Sequence, residues 1–195
     1  MNILKPVVGN KKYVISVSGE IRDMEGKICH FEKRKNAKGN DEIQIEIYGK
    51  LETVELLWLA LVSHYEVDLP EYLRDRLFDI RFVKSSAYLS PVTINGMMMV
   101  FNEPIYVREG YRLIPCFTNY AISEKGEVLR VDGGYISTVN HEGYKGKDIY
   151  VSSRVYSAKH SKSTKYANHR LVALAWIPNE CYVERYLVNH IDGQK

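Results

Sequence analysis

The chain has 195 residues, of which 45% are hydrophobic and 26% charged, a globular composition that excludes intrinsic disorder. No apolar run approaches the roughly 20 residues a membrane helix needs, and Met1–Tyr13 lacks the apolar stretch of a signal peptide, so no membrane partner and a cytoplasmic location are expected. The net charge is only +3, and Cys29, Cys116 and Cys181 stand far apart with no CxxC pair, which excludes a disulfide framework and a zinc knuckle.

The first predicted element is a β-hairpin over Tyr13-Val-Ile-Ser-Val-Ser-Gly-Glu-Ile21, where apolar residues alternate around a glycine turn. The pattern returns as Tyr120-Ala-Ile-Ser-Glu-Lys-Gly-Glu-Val128, at an offset of 107 and with five identities. Glycine is required at Gly19 and Gly126 because the turn visits positive φ. Upstream, Leu4-Lys-Pro-Val-Val8 parallels Leu113-Ile-Pro-Cys-Phe117. Such an internal repeat implies two copies of one small unit.

Each copy continues through further strands to an apolar helix. The first helix is expected near Glu52–Tyr65, capped by Thr53 or Glu52; the second starts at Asn168 as N-cap and is stopped by Pro178. Leu57, Leu61, Leu171, Leu174 and Trp176 are expected in the core, because both helices are apolar around most of their circumference. A strand follows each helix, Leu77–Val83 in the first copy and Tyr186–Asn189 in the second. The expected fold class is α+β, with duplicated β-hairpin/helix modules. Residues 1–86 form a degenerate N-terminal copy for binding or docking, 87–109 a linker strand around Met97-Met-Met-Val-Phe101, and 110–195 the more complete copy.

Positive charge concentrates in the second copy. Seven bases, Lys145, Lys147, Arg154, Lys159, Lys162, Lys165 and Arg170, stand against one acid, Asp148; this window carries +6 and the rest of the chain −3. Such a segment is an electrostatic footprint for a polyanion; the alternative is a solvated surface hairpin. The shorter basic run Lys33-Arg34-Lys35, with Lys38, reads as a solvated hairpin tip.

Two segments of the second copy resemble a known family. Tyr111-Arg-Leu-Ile-Pro-Cys-Phe-Thr-Asn-Tyr-Ala-Ile-Ser-Glu-Lys-Gly-Glu-Val128 resembles the DNA-binding leader that precedes many phage HNH homing endonucleases, with Cys116 where the family has glycine. His169-Arg-Leu-Val-Ala-Leu-Ala-Trp-Ile-Pro-Asn179, followed by Leu187-Val-Asn-His-Ile-Asp-Gly-Gln-Lys195, resembles that family's core, and the parts occur in order and at family spacing. The resemblance implies a phage-encoded endonuclease, in the host cytoplasm, that binds double-stranded DNA and hydrolyses a phosphodiester in a ββα-metal motif. It makes His190 the general base on the attacking water and Asn189 an oxygen ligand to a divalent metal, commonly Mg²⁺. His169 is expected to support the site from the helix start, and Asp192-Gly193 to turn the chain out of the strand. The seven bases named above are the expected DNA contacts.

The family motif continues with a bracing asparagine and a helix that carries a further metal ligand, whereas this sequence stops at Lys195. A hard cation needs several oxygen ligands, so residues 1–195 by themselves are expected not to cut DNA efficiently. The alternative reading is a non-catalytic HNH-derived protein that binds DNA, or a host protein such as transcription machinery, with residues 1–109 as the protein-docking part. In the first copy no NHIDG occurs, and Glu55 is expected at the position of His169.

Overall fold

Where alternate residues are apolar a strand buries one face, and where glycine admits positive φ the chain turns back. The computed structural model describes residues 3–67, 69–85, 93–131, 138–140, 151–157 and 162–177. Strands β1 (Leu4–Val7), β2 (Asn10–Ser16) and β3 (Ile21–Asp23) form an antiparallel sheet in that order. A second sheet holds β4 (Arg34–Lys35), β5 (Asp41–Ile47) and β6 (Lys50–Glu55). Along β5, Ile43, Ile45 and Ile47 are buried while Gln44 and Glu46 are exposed. Tyr48 and Gly49, both at positive φ, close the β5–β6 hairpin, as a type I′ turn requires. Helix α1 (Leu56–His64) leaves β6 without a loop and packs against β1, β2, β5 and β6. Leu59, Ala60, Leu61 and Val62 of this helix complete a core with Ile15 and Ile43.

The chain divides into two compact units, Met1–Arg74 and Asp75–Lys195, joined through a 3₁₀ helix over Glu71–Asp79. The second unit opens on β7 (Ile80–Lys84) and β8 (Met97–Phe101), an antiparallel pair with Met98 and Met99 fully buried. Strands β9 (Tyr106–Arg108), β10 (Tyr111–Ile114), β11 (Phe117–Ser123) and β12 (Val128–Arg130) form a sheet ordered β12-β11-β10-β9. A three-stranded antiparallel sheet follows, β13 (Thr138–Asn140), β14 (Val151–Ser157) and β15 (Lys162–Ala167). Helix α2 (Asn168–Trp176) packs on β10, β11, β14 and β15. The fold is therefore mixed α+β, built largely from small antiparallel sheets.

The two units share an order of elements, and the likeness reaches single hydrogen bonds. The β1–β2 register, Leu4↔Ser16 through Val7↔Asn10, recurs in β10–β11 as Tyr111↔Ser123 through Ile114↔Phe117, each with an irregularity at its last pair. Ser16 ties the first turn: its carbonyl accepts the Gly19 N–H and its hydroxyl the Glu20 N–H. Ser123 does the same for Gly126 and Glu127. Gly9 and Cys116 hold the same turn position at φ 65° and 67°. Glu55 (φ −66°, ψ 128°) and Ala167 (φ −67°, ψ 129°) precede the two helices in one extended conformation. At the far helix ends, His64 Nε2 bonds the Ile15 carbonyl at 3.0 Å and Trp176 Nε1 bonds the Ile122 carbonyl at 2.9 Å.

Several expectations need correction. The first helix begins at Leu56, because Lys50–Glu55 pair residue by residue with β5. Neither helix has a side-chain cap; Asn168 instead donates its amide to the Gly126 carbonyl at 2.7 Å. The strand expected at Leu77–Val83 starts only at Ile80, after the 3₁₀ helix, and pairs with the Met-rich strand of the second unit. The register sets Leu4 against Tyr111, two residues from the alignment by proline, and Lys5 against Arg112. Matching the helices puts Leu57, not Glu55, at the position of His169. Leu57 is 50% exposed, and Leu174 and Trp176 are only half-buried, whereas Leu61 and Leu171 are buried as expected.

Those exposures set a contrast. Leu171→Ala removes a side chain with no exposure and should lower stability by about 2–5 kcal/mol. Leu57→Ala should cost under about 1 kcal/mol, since half its surface already meets water. Equilibrium denaturation of the two variants checks both values.

Candidate nucleic-acid interface

The β14–β15 ladder decides which basic residues share a face. Arg154 pairs with Lys165, flanked on the same face by Tyr156↔Ser163 and Ser152↔Ala167. Along β14, Ser153 and Val155 are buried and Arg154 is exposed; along β15, Lys165 is exposed. β14 is the central strand of its sheet and β15 an end strand, so Arg154 sits over the middle of the sheet and Lys165 beside it. Like charges directly across a ladder destabilise it unless a counter-charge is present. Among the described residues, neither Arg154 nor Lys165 makes an ion pair.

The opposite side of this sheet is anchored. Val155 and Leu171 are fully buried, and the Phe117 and Tyr166 rings meet at 4.9 Å. The Tyr156 N–H donates to the Tyr120 hydroxyl at 3.1 Å, which ties the repeated tyrosine of the leader to β14. Helix α2 follows β15 directly and carries His169, half-buried, and Arg170, exposed.

A further cluster holds the end of α2. The Arg112 guanidinium lies 4.1 Å from the Trp176 ring and 5.1 Å from the Tyr106 ring, with an N–H donated to the Tyr106 hydroxyl at 2.8 Å. Arg112 and Trp176 belong to the leader and to the HRLVA segment respectively, so the two quoted motifs meet at this contact. The sequence reading missed it, although the shared apolar and aromatic character of the two motifs was a signal.

The other expected site residues fall outside the described structure: Lys145, Lys147, Lys159, Asn189, His190, Asp192 and Gly193. Lys162 pairs through its backbone with Ser157 and so stands at the opposite parity from Lys165; its side chain lies outside the described residues. Among the described residues, no group of three or more His, Cys, Asp or Glu side chains is placed to hold a metal ion, and no helix is long and apolar enough to cross a membrane.

The first unit presents the same face without the cations, its matching pair neutral and its flanking Glu46 in an ion pair with Lys12. Gln44↔Thr53 stands where Arg154↔Lys165 stands, flanked by Glu42↔Glu55 and by Glu46. The basic run at Lys33–Lys35 is neutralised locally: Lys33 and Lys35 pair with Asp41 and Arg34 with Glu32. The hydrogen bond from Lys35 holds the Asp41 carboxyl below its usual value of 3.8. That run is exposed, as expected of a solvated hairpin, and the pairing with its own acids is an added feature. The first unit also has a cleft of about 270 Å³ lined by Gly19, Cys29, His30, Phe31, Ile43 and Leu56.

The seating of α2 is testable. Trp176→Phe keeps the ring but leaves the Ile122 carbonyl without its donor, and should cost about 1–3 kcal/mol. Chemical denaturation of the variant, followed through a far-UV signal, checks this.

Comparison with protein-family models, with curated proteins and with solved structures finds no match to this chain. The residues themselves carry the functional reading.

Proposed function

We propose that the chain is a DNA-binding protein of the HNH endonuclease type, which lays the β14–β15 face and the start of α2 against the phosphate backbone of a duplex. The observation that carries this is the cross-strand pair Arg154 and Lys165, exposed and without an acidic partner among the described residues. A phosphate backbone supplies the counter-charge that the sheet lacks. Arg170 on the adjoining helix adds a third exposed cation. Contacts of this kind fix register and orientation and carry no base identity.

The nuclease part rests on the resemblance of Leu187–Lys195. In that reading His190 takes a proton from the attacking water, and Asn189 offers an oxygen to a divalent metal. When bound, the metal supplies charge stabilisation at the phosphate and at the leaving oxygen. A second reading is favoured by the first unit, which keeps the whole packing scheme yet bears acids on the matching face. A non-catalytic binding protein, with the first unit docked on a protein, fits that observation.

Duplex binding followed across a salt series tests the interface. Arg154→Ala with Lys165→Ala should weaken binding to all duplexes alike and reduce the log–log salt slope by about 1–2 units. Gln44→Ala with Thr53→Ala should leave the slope unchanged. A slope unaltered by the first pair removes this face from the DNA interface. The nuclease reading is tested separately: in a chain that carries the whole motif, His190→Ala should abolish Mg²⁺-dependent nicking while binding persists. Binding without nicking by the parent favours the second reading.

A further inference from the structure

The two units close their helices with the same bond made by different rings. In the first unit the donor is the His64 imidazole, 7% exposed, at 3.0 Å from the Ile15 carbonyl. In the second it is the Trp176 indole, at 2.9 Å from the Ile122 carbonyl. A carbonyl only accepts, so the neutral imidazole must carry its proton on Nε2. An indole N–H cannot titrate near neutrality, whereas an imidazole can.

We propose that the first unit carries an acid-sensitive latch, in which the neutral His64 ring seals α1 onto β2, and protonation shifts the unit toward a state with α1 undocked, while the Trp176 latch of the second unit stays closed.

The reason is where the second proton must go. It binds Nδ1, and among the described residues the ring's hydrogen bond is the one to Ile15. Burial of the ring disfavours the charged form and dominates, although the Ile15 carbonyl favours it. The charges that act on the ring nearly oppose each other: Lys5 of β1 disfavours protonation, and Glu66, just after α1, favours it. These two are themselves an ion pair. On β5 and β6, Glu42, Glu46 and Glu55 stand on the face away from Ile43 and Ile45, and Lys50 and Glu52 are not among the charges that act on the ring. On β2, Lys11 and Lys12 are exposed.

The sign follows from linkage. The undocked ring takes up its proton near the usual value of 6.5, and the docked ring only at lower pH. Docking is therefore fully favoured above that value and weakens as the pH falls below it, down to the pKa of the docked ring. Between about pH 7 and about pH 5.5 the undocked fraction should rise by up to about eightfold from this one group.

Hydrogen–deuterium exchange of the full chain at those two pH values, corrected for intrinsic rates, reads the effect. Peptides covering Leu56–His64 should open more at the lower pH by a factor of up to about eight, and peptides covering Asn168–Trp176 should not. An equal change in both helices, or none in α1, overturns the proposal. His64→Gln keeps an N–H donor without titrating and should flatten the response; a response that survives unchanged in a folded His64→Gln chain overturns the proposal as well. An NMR titration of the assigned His64 ring in the parent decides even if that variant fails to fold. A midpoint below 6.5 supports the latch, and one at or above 6.5 sinks it.

Discussion

Each unit depends on a short helix held at both ends against one hairpin. At the start, the turn glycine lies against the first helical residue. A Cβ on Gly19 would lie 2.9 Å from the Leu56 side chain, too close to fit unmoved, whereas one on Gly126 would make an ordinary contact at 3.6 Å from that of Asn168. At the end, a ring N–H reaches the carbonyl of the isoleucine one residue before the end of the hairpin strand. Two fixed points define the line of a nine-residue helix. That is why neither helix needs a side-chain cap, although an isolated helix of that length is marginal in water. Tertiary contact, not local capping, sets where each begins.

The same frame shows what each unit can vary. Gly9 and Cys116 share a turn position at positive φ, where a side chain costs roughly 1–2 kcal/mol. In the first unit a Cβ there would also stand 2.8 Å from the Tyr48 backbone nitrogen, so glycine is doubly required. In the second unit the cysteine is buried, with Sγ 3.4 Å from the Met99 carbonyl, and this contact with the extra β7–β8 pair offsets the backbone cost. The base beside the helix end is likewise retained and redeployed. Lys5 makes an ion pair with Glu66, whereas Arg112 stacks on Trp176 and Tyr106. An arginine's planar fork can do both jobs of charge and stacking.

Much of this frame was legible in eight residues. The Tyr-x-Ile-Ser-x-x-Gly-Glu string contains the hairpin serine, the turn glycine and the isoleucine that receives the ring N–H, so one motif reports register, turn and helix seat together. The second sheets were harder to align, because their hairpin loops differ in length: Tyr48-Gly49 closes one, and four residues separate β14 from β15 in the other. Apolar content misled at Leu57, where a helix that is apolar nearly all round still turns one side chain to water. The capping character of Glu52 and Thr53 misled at the helix start, where cross-strand pairing keeps Glu52–Glu55 in β6. Of the site, the excess of positive charge was plain. Which cations share a face was not, because that depends on strand parity and on the start of β15.

The inner faces of the two β5–β6 and β14–β15 hairpins are bound by the helix, the core and the repeated hydrogen bonds, and there the units agree. Their outer faces carry fewer of these constraints, although Ser152 is buried there and Glu46 pairs with Lys12, and there they part. Glutamates flank Gln44 and Thr53 on one, while Arg154 and Lys165 face each other on the other. Paired cations on one face and a neutral pair flanked by glutamates on the other present different fields to any charged partner. Packing demands keep the two units alike, and the positions under fewer packing demands carry different electrostatics. The frame is common to the two units, while the charge on the outer face is set separately in each.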